Sequence, residues 1–584
     1  MSRDSSNDKF LVSALIDTKE KLSNIKSEMN QLLQFKSHSN LLTDNYTQTP
    51  LYTVGEQILN FRATGIFDGM GAYLKDDNTV NVLLNSELSN SLNVWKYKIN
   101  NIELGASRIT KFSINRNTKT VVKAEIAYTD IIAPDGSSLN EANKDIIFQS
   151  SKTFSNNSNP PQTLVGFERL CSGHVVEPEF WGKGKGPVDR IYVTGEEIFP
   201  SGGNYKDSNG GRILALDTQT SKLYCLPGLP KTPFENMVDI NCNEKFVAFT
   251  FGGEHNPSTS MYFTKQSQND INMSANSKIA ATKVSGTGND SNFNLYKFGS
   301  LLCIYLGKKI KNGNFLERNG LHSGKVYVFV ADNRDCTPGV YIDHLGTNNL
   351  RGNFIPLTFD NNIEVSYNDL MIAAANANAY LFNRFEDVSV NPNNGAEFAI
   401  TCTNNDTVEK ITINDNLDDI TDYPQQINAT IMRITGTPGQ RTTNPTTCKG
   451  PDNLEWTKDN KLYVNEDVSN NRIGYIDMTQ KLPTKIEWFA QTVNEPTYPT
   501  NCLTPNKILS DPPGPSGIFD ISNFFAKKSD GTFKLTSGYT GQEAREALDG
   551  SKLLYNIQSN AQQSGDIEYF KLGKGSQLIL LEKK

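Results

Sequence analysis

The chain has 584 residues, with 57 Lys and Arg against 64 Asp and Glu and a net charge of −7. That balance gives no basic footprint for nucleic acid, and no apolar run reaches the roughly 18 residues of a membrane span, so neither a polyanion-binding nor a membrane-spanning protein is expected. The 5 histidines and 8 cysteines are scattered, without CxxC or zinc spacing, which argues against a zinc ribbon and a disulfide framework.

The opening Met1-Ser-Arg-Asp is polar and lacks the basic start and apolar centre of a secretion signal. Leu11, Leu15, Leu22, Ile25, Met29 and Leu32 then follow steps of four and three, interrupted by Thr18. This heptad spacing predicts an amphipathic helix over 1–36, which either packs on the rest of the chain or drives homo-oligomerisation as a coiled coil. Residues 37–54 read as a linker, and 55–584 as one large domain.

Within that domain helical periodicity almost vanishes, and short runs of alternating or β-branched residues alternate with Gly, Asn, Asp and Pro. Strands are expected at Val80-Asn-Val-Leu-Leu-Asn, Arg190-Ile-Tyr-Val-Thr-Gly, Arg212-Ile-Leu-Ala-Leu-Asp, Lys245-Phe-Val-Ala-Phe-Thr, Lys325-Val-Tyr-Val-Phe-Val, Glu397-Phe-Ala-Ile-Thr and Lys461-Leu-Tyr-Val-Asn-Glu. The template Leu214-Ala-Leu-Asp-Thr-Gln-Thr-Ser-Lys-Leu-Tyr, a strand ending in Asp, a polar turn and a second strand, is a blade-building hairpin. The class is all-β, with a β-propeller favoured and a jelly roll or paired sandwiches open on pattern alone. Polar stretches 266–294 and 436–449 read as excursions from the scaffold.

Gly182-Lys-Gly-Lys-Gly-Pro has glycines and lysines but not the ending of a phosphate loop, and the acidic run from Asp415 lacks the Gly and Glu of an EF-hand. No HExxH or GxSxG occurs, which disfavours zinc-protease and α/β-hydrolase chemistry.

Carboxylates stand at the ends of apolar runs instead: Glu87, Glu196-Glu197, Glu235, Glu386-Asp387, Asp452 and Glu466-Asp467. Each alone reads as a turn with an Asx cap or an exposed Glu. Together they suit a shared metal site, because propeller loops converge on one channel mouth and buried acids need a partner.

At these residues the sequence resembles the PhoX-type alkaline phosphatase family. The resemblance runs through Phe67-Asp-Gly-Met-Gly-Ala-Tyr, Gly166-Phe-Glu-Arg-Leu-Cys-Ser-Gly, Val188-Asp-Arg-Ile-Tyr-Val-Thr-Gly-Glu-Glu, Pro233-Phe-Glu-Asn, Asn383-Arg-Phe-Glu-Asp, Pro451-Asp-Asn-Leu and Gly575-Ser-Gln-Leu, in that order. It implies a six-bladed propeller that hydrolyses phosphate monoesters with a cluster of Ca²⁺ and Fe³⁺ in the channel mouth. Carried over, Cys171 is the bridging thiolate, Glu87, Glu197, Glu235, Glu386 and Asp452 are metal carboxylates, and Arg384, with Glu386, serves the substrate phosphate. Asn85-Ser86-Glu87 and Arg384-Phe385-Glu386 depart from the family's Asn-His-Glu and Arg-Pro-Glu. The resemblance places the family's work outside the cytoplasm, whereas the polar N-terminus leaves the compartment open. The alternative is a catalytically degenerate propeller used as a surface or virion-associated binding module.

Overall fold

In a computed structural model of the chain, the described residues are 37–89, 92, 94–148, 165–198, 210–253, 261–264, 282–284, 293–297, 300–332, 349–359, 364–382, 384–435, 448–466, 471–482, 484–493, 513–559 and 566–584. The heptad segment, and most of the polar stretches 266–294 and 436–449, lie outside them. Among the described residues no helix is long and apolar enough to cross a membrane.

The described strands form four-stranded antiparallel units, written here from inner to outer strand. The first is Phe67–Asp76, Thr79–Ser86, Arg108–Asn115 and Thr120–Ile126; the second is Leu170–Val176, Ile191–Glu196, Ile213–Asp217 and Lys222–Cys225. The third is Phe234–Ile240, Phe246–Gly253, Leu302–Lys308 and Gly324–Ala331; the fourth is Phe385–Val390, Glu397–Cys402, Thr407–Ile413 and Ile427–Thr435. The fifth is Pro451–Trp456, Lys461–Glu466, Arg472–Asp477 and Glu487–Thr492; the sixth is Gly514–Asp520, Lys552–Ser559, Gly575–Lys583 and Tyr46–Thr53. Each inner strand packs beside the next, and Gly514–Asp520 returns to Phe67–Asp76, so the inner strands close a ring. The chain is a β-propeller. All seven runs expected as strands are strands of these units.

Residues 37–54 are not a linker. Tyr46–Thr53 pairs antiparallel with Gly575–Lys583 and completes the sixth unit, while Ser39–Leu41 extends the fifth beside Glu487–Thr492. Pairing residues 46–53 with the C-terminal strand ties the first and last parts of the domain together by hydrogen bonds. The segment conceals this because Pro50 interrupts its strand pattern; the structure accommodates Pro50 where the register shifts, between Pro50 and Tyr52. A further strand, Asn349–Pro356, pairs with Gly324–Ala331 on one side and Ile427–Thr435 on the other, fusing the third and fourth units into one nine-stranded sheet.

The hairpin template holds at atomic detail. Asp217 ends its strand and accepts from Gln219 N at 2.9 Å and Thr220 Oγ1 at 2.6 Å, an Asx turn that returns the chain into Lys222–Cys225. The core lies between neighbouring sheets: Ile191, Val193 and Ile213 pack with Phe234, Phe249 and Phe251, and Phe67, Val82 and Phe112 with Leu554, Leu578 and Leu580. The two decoy segments resolve as structural. Lys309 Nζ donates to the carbonyls of Gly184 and Gly186 at 2.6 and 2.8 Å, so that loop presents oxygens to a cation, while Asp415 accepts from Asn428 N at 2.6 Å and ties the base of the loop between Thr407–Ile413 and Ile427–Thr435.

One irregularity recurs in every inner strand. Register shifts between Phe67 and Met70, Leu170 and Gly173, Phe234 and Met237, Phe385 and Val388, Pro451 and Leu454, and Pro515 and Ile518. At each, two inner-strand residues oppose one residue of the second strand, a β-bulge. The opposing residues are Asn85, Gly195, Gly252, Thr401, Asn465 and Asn556. The four polar ones reach the bulge carbonyls of the next unit. Asn85 Nδ2 donates to Cys171 O and Ser172 O at 2.9 and 3.0 Å, Thr401 Oγ1 to Asp452 O at 2.7 Å, Asn465 Nδ2 to Ser516 O, and Asn556 Nδ2 to Asp68 O at 2.6 Å. At the remaining two junctions a glycine admits the next unit's aromatic ring: a Cβ on Gly195 would lie 2.4 Å from Phe234, and one on Gly252 2.9 Å from Phe385.

Two stability predictions follow from this packing. Asn556→Ala leaves the buried Asp68 carbonyl without its donor, and Gly195→Ala drives a methyl into Phe234; each should cost about 1–3 kcal/mol in urea unfolding. At the far end of the sixth inner strand, Asp520 is 2% exposed and burial pushes its pKa up to about 7. Ionisation in the folded state is therefore opposed, and stability falls as pH rises from about 4, where the unfolded carboxyl titrates, to about 7. Asp520→Asn, which keeps the oxygen that accepts from Ser522 N, should unfold later than wild type at pH 8 and alongside it at pH 4.

Candidate metal centre

The first bulged residues of the six inner strands are Asp68, Cys171, Glu235, Glu386, Asp452 and Ser516, all at the same end of the channel. A bulge re-aims side chains that a regular pleat would bury between sheets. The second bulged residues, Gly69, Ser172, Asn236, Asp387, Asn453 and Gly517, line a cavity of about 20 Å³ just beneath, room for one water. Asp387 closes that layer, accepting from Asn236 Nδ2 at 2.5 Å, Val388 N at 2.7 Å and Leu454 N at 2.8 Å; burial still pushes its pKa up to about 6.

The second strands supply two more carboxylates. Glu87 and Glu197 follow equivalent strand ends, Asn85-Ser86 and Gly195-Glu196. Their main-chain N–H groups donate to the carbonyls of Ile66 and Arg169 at 2.8 and 2.9 Å. Ile66 and Arg169 have φ of 53° and 48°, and this left-handed turn just before each inner strand carries its carbonyl back to the neighbouring strand end. Arg384, φ 57°, repeats the turn and accepts from Thr403 N at 3.0 Å. Within Glu196-Glu197 the roles divide: Glu196 accepts from Glu168 N and Arg212 N, whereas Glu197 turns into the centre.

Two clusters result, each with its ligand atoms within 4.8 Å of one another: Asp68, Glu87 and Cys171, and Cys171, Glu197 and Glu235. Cys171 belongs to both. Its Sγ donates to Asp68 Oδ2 at 3.2 Å, and Asp68 also accepts from Ser516 Oγ at 2.7 Å and Gln558 Nε2 at 3.0 Å. Burial, then the charge of Glu87, pushes the Asp68 pKa well above the usual carboxylate range. Burial also raises the Cys171 thiol, and Asp68, Glu235, Glu87 and Glu197 raise it further. Groups that resist ionisation together are groups that a cation would deprotonate together. A thiol among carboxylates is a donor set for a transition metal beside a harder cation, so the residues present fit the metals the resemblance implies.

The structure therefore brings together four of the expected ligands, Glu87, Cys171, Glu197 and Glu235. Glu386 and Asp452 occupy the equivalent bulge positions of the fourth and fifth units and do not enter either cluster among the described residues. Arg384 Nε lies 2.8 Å from Glu386 Oε1, two residues on. Ser86, the departure from Asn-His-Glu, bonds Thr64, its Oγ donating to Thr64 O at 3.1 Å. Phe385, the departure from Arg-Pro-Glu, stacks on Phe382 with ring centroids 4.5 Å apart. Asp68 was not among the expected ligands. Its signal is the repeated strand start, an apolar residue, a ligand-type residue, a small or polar residue and an apolar residue, shared by Phe67-Asp-Gly-Met, Phe234-Glu-Asn-Met and Phe385-Glu-Asp-Val.

No protein-family model and no curated protein matches the sequence. Among solved structures, PhoX of Pseudomonas fluorescens in complex with vanadate, a transition state analogue, aligns with 94% of this chain and 98% of its own at a TM-score of 0.53 and 13% identity. A putative 6-phosphogluconolactonase from Bacteroides uniformis (12% identity, 72% of this chain and 84% of that one, TM-score 0.23) also aligns. So does the periplasmic gluconolactonase PpgL of Pseudomonas aeruginosa (9% identity, 74% and 86%, TM-score 0.25). The lactonase scores are too low to carry an argument. The likeness to PhoX extends over nearly the whole of both chains and, at 13% identity, establishes a shared fold.

Proposed function

We propose that this propeller is a metal-dependent phosphomonoester hydrolase of the PhoX kind, its six units serving as six blades. The observation that carries the reading is the pair of ligand clusters sharing Cys171 at the channel mouth. Cys171, Glu87, Glu197 and Glu235, with Asp68, would hold Fe³⁺ where the thiolate takes part, and the carboxylates, with Asp452 and Glu386 around the ring, would hold Ca²⁺. Bound there, the metals would neutralise phosphoryl oxygens and lower the pKa of an attacking oxygen.

The chain's own residues set the rest. Four clustered carboxylates repel a phosphate dianion, so the mouth accepts substrate only with that charge compensated. Arg384 offers a planar guanidinium that can take two phosphoryl oxygens, and Glu386 beside it fixes the direction of that fork. The one-water cavity beneath the centre is too small for an ester, so substrate enters from the mouth side.

The test is hydrolysis of p-nitrophenyl phosphate by protein reconstituted with Ca²⁺ and Fe³⁺. Chelation, Cys171→Ser and Glu386→Ala should each lower kcat/KM by at least about 100-fold. Turnover indifferent to all three would refute the reading. Cation binding itself should appear as stability: Ca²⁺ at about 100 times its Kd should raise the stability of chelator-treated protein by about 2–3 kcal/mol. In Asp68→Asn the metal-free protein should be more stable than wild type at pH 8, because folding no longer opposes the ionisation of that buried carboxyl, and its gain from Ca²⁺ smaller; both are read by thermal unfolding.

A further inference from the structure

Arg169 stands where the two clusters meet. A single terminal nitrogen, Nη2, lies 2.9 Å from Glu87 Oε1 and also bonds Glu197 Oε2. Glu87 belongs to one cluster and Glu197 to the other. The backbone of Arg169 is tied to the same two strand ends, its N–H donating to Leu88 O at 2.9 Å and its carbonyl accepting from Glu197 N at 2.9 Å. The Arg169 side chain is 43% exposed, while those of Glu87 and Glu197 are 13% and 2% exposed. The guanidinium thus covers the acids from the solvent side, and burial of much of its surface is outweighed by Glu197 and Glu87, which hold it charged. Its Nε is buried and, among the described residues, makes no hydrogen bond, so the group is held by these two carboxylates on one edge.

We propose that Arg169 is a positioning residue that couples the two cation subsites: it is the positive charge both clusters share when no cation is bound, and its release by the first cation prepares the second subsite. The proposal rests on the metal reading above. A cation that recruits Glu87 removes half of the shared ion pair, and its own charge repels the guanidinium still held by Glu197. The first cation therefore meets a competitor, and the second finds its carboxylate released. By linkage the same coupling acts in whichever order the subsites fill. Arg384, at the equivalent left-handed position two units on, pairs instead with the Glu of its own bulge, so its turn does not bridge two clusters.

Titration of the chelator-treated full chain with Co²⁺ alone tests this, since Co²⁺ accepts both thiolate and carboxylate and its thiolate charge-transfer band reports Cys171. In wild type the second Co²⁺ should bind on the order of tenfold more tightly than independent subsites would allow. In Arg169→Ala and Arg169→Gln the first Co²⁺ should bind on the order of tenfold more tightly than in wild type, and the favourable coupling should fall to what the shared Cys171 alone imposes. A urea midpoint for either variant shows that it is folded, and one folded variant suffices. Weaker binding in both steps, or coupling in both variants unchanged from wild type, would overturn the proposal while leaving the metal centre standing, as would two independent steps in wild type. No Co²⁺ bound by wild type at all would overturn both.

Discussion

The molecule depends on one repeated contact: the bulge that begins each inner strand, held by the second strand of the unit before it. A propeller blade is a twisted sheet with no intrinsic reason to stop at a given angle from its neighbour. Here the angle is set by a short side chain. Asn85, Thr401, Asn465 and Asn556 each donate to a main-chain carbonyl across the junction, and Gly195 and Gly252 let an aromatic ring close the same gap. Each device satisfies or covers backbone that the bulge has withdrawn from its own ladder, and an orphaned carbonyl there would cost as much as a cap lost elsewhere.

That constraint also places the chemistry. Because a bulge leaves one residue unpaired and turned toward the axis, six equivalent positions face the mouth without any being selected for ligation. The sequence varies at those positions, and the variation is uneven: Asp68, Cys171 and Glu235 fall on three consecutive units, joined by Glu87 and Glu197 from the second strands of the first two. Ser516 on the sixth unit donates to Asp68 rather than adding charge, and Gln558, in the place Glu87 holds one unit on, donates to both Asp68 and Glu87. Candidate ligands therefore gather on one side of the ring, with hydrogen-bond donors at their border.

Legibility in the sequence follows the same division. Of the seven runs that read as strands, five, including Val80-Asn-Val-Leu-Leu-Asn and Lys461-Leu-Tyr-Val-Asn-Glu, are second strands; the inner strands are as deeply buried, but their bulges break the strand pattern. Glu197 and Glu235 are legible through their position at strand ends and through the resemblance, Cys171 through the resemblance alone. Asp68 carries no role in the sequence reading, and only the alignment of six strand starts shows it as the counterpart of Cys171. The outer strand Tyr46–Thr53 was hidden by Pro50 and by distance, its partner lying more than five hundred residues away in the chain.

The remaining question is how a propeller tolerates such a concentration of acid. Buried carboxylates that share one pocket cannot all ionise without a compensating charge. In the structure three means of compensation coexist: protons, favoured on Asp68 and Cys171; hydrogen-bond donors, from Ser516 and Gln558; and one guanidinium, Arg169, spread over Glu87 and Glu197. All three are exchangeable for a cation, since a metal displaces protons from a thiol and a carboxyl and competes directly with an arginine. A core that merely needed stability would hold apolar residues at these positions, as the packing between sheets does at Met70, Val388 and Leu454. Acids kept buried, mutually repelling and only provisionally neutralised make sense as a site whose proper counter-charge arrives from outside the chain.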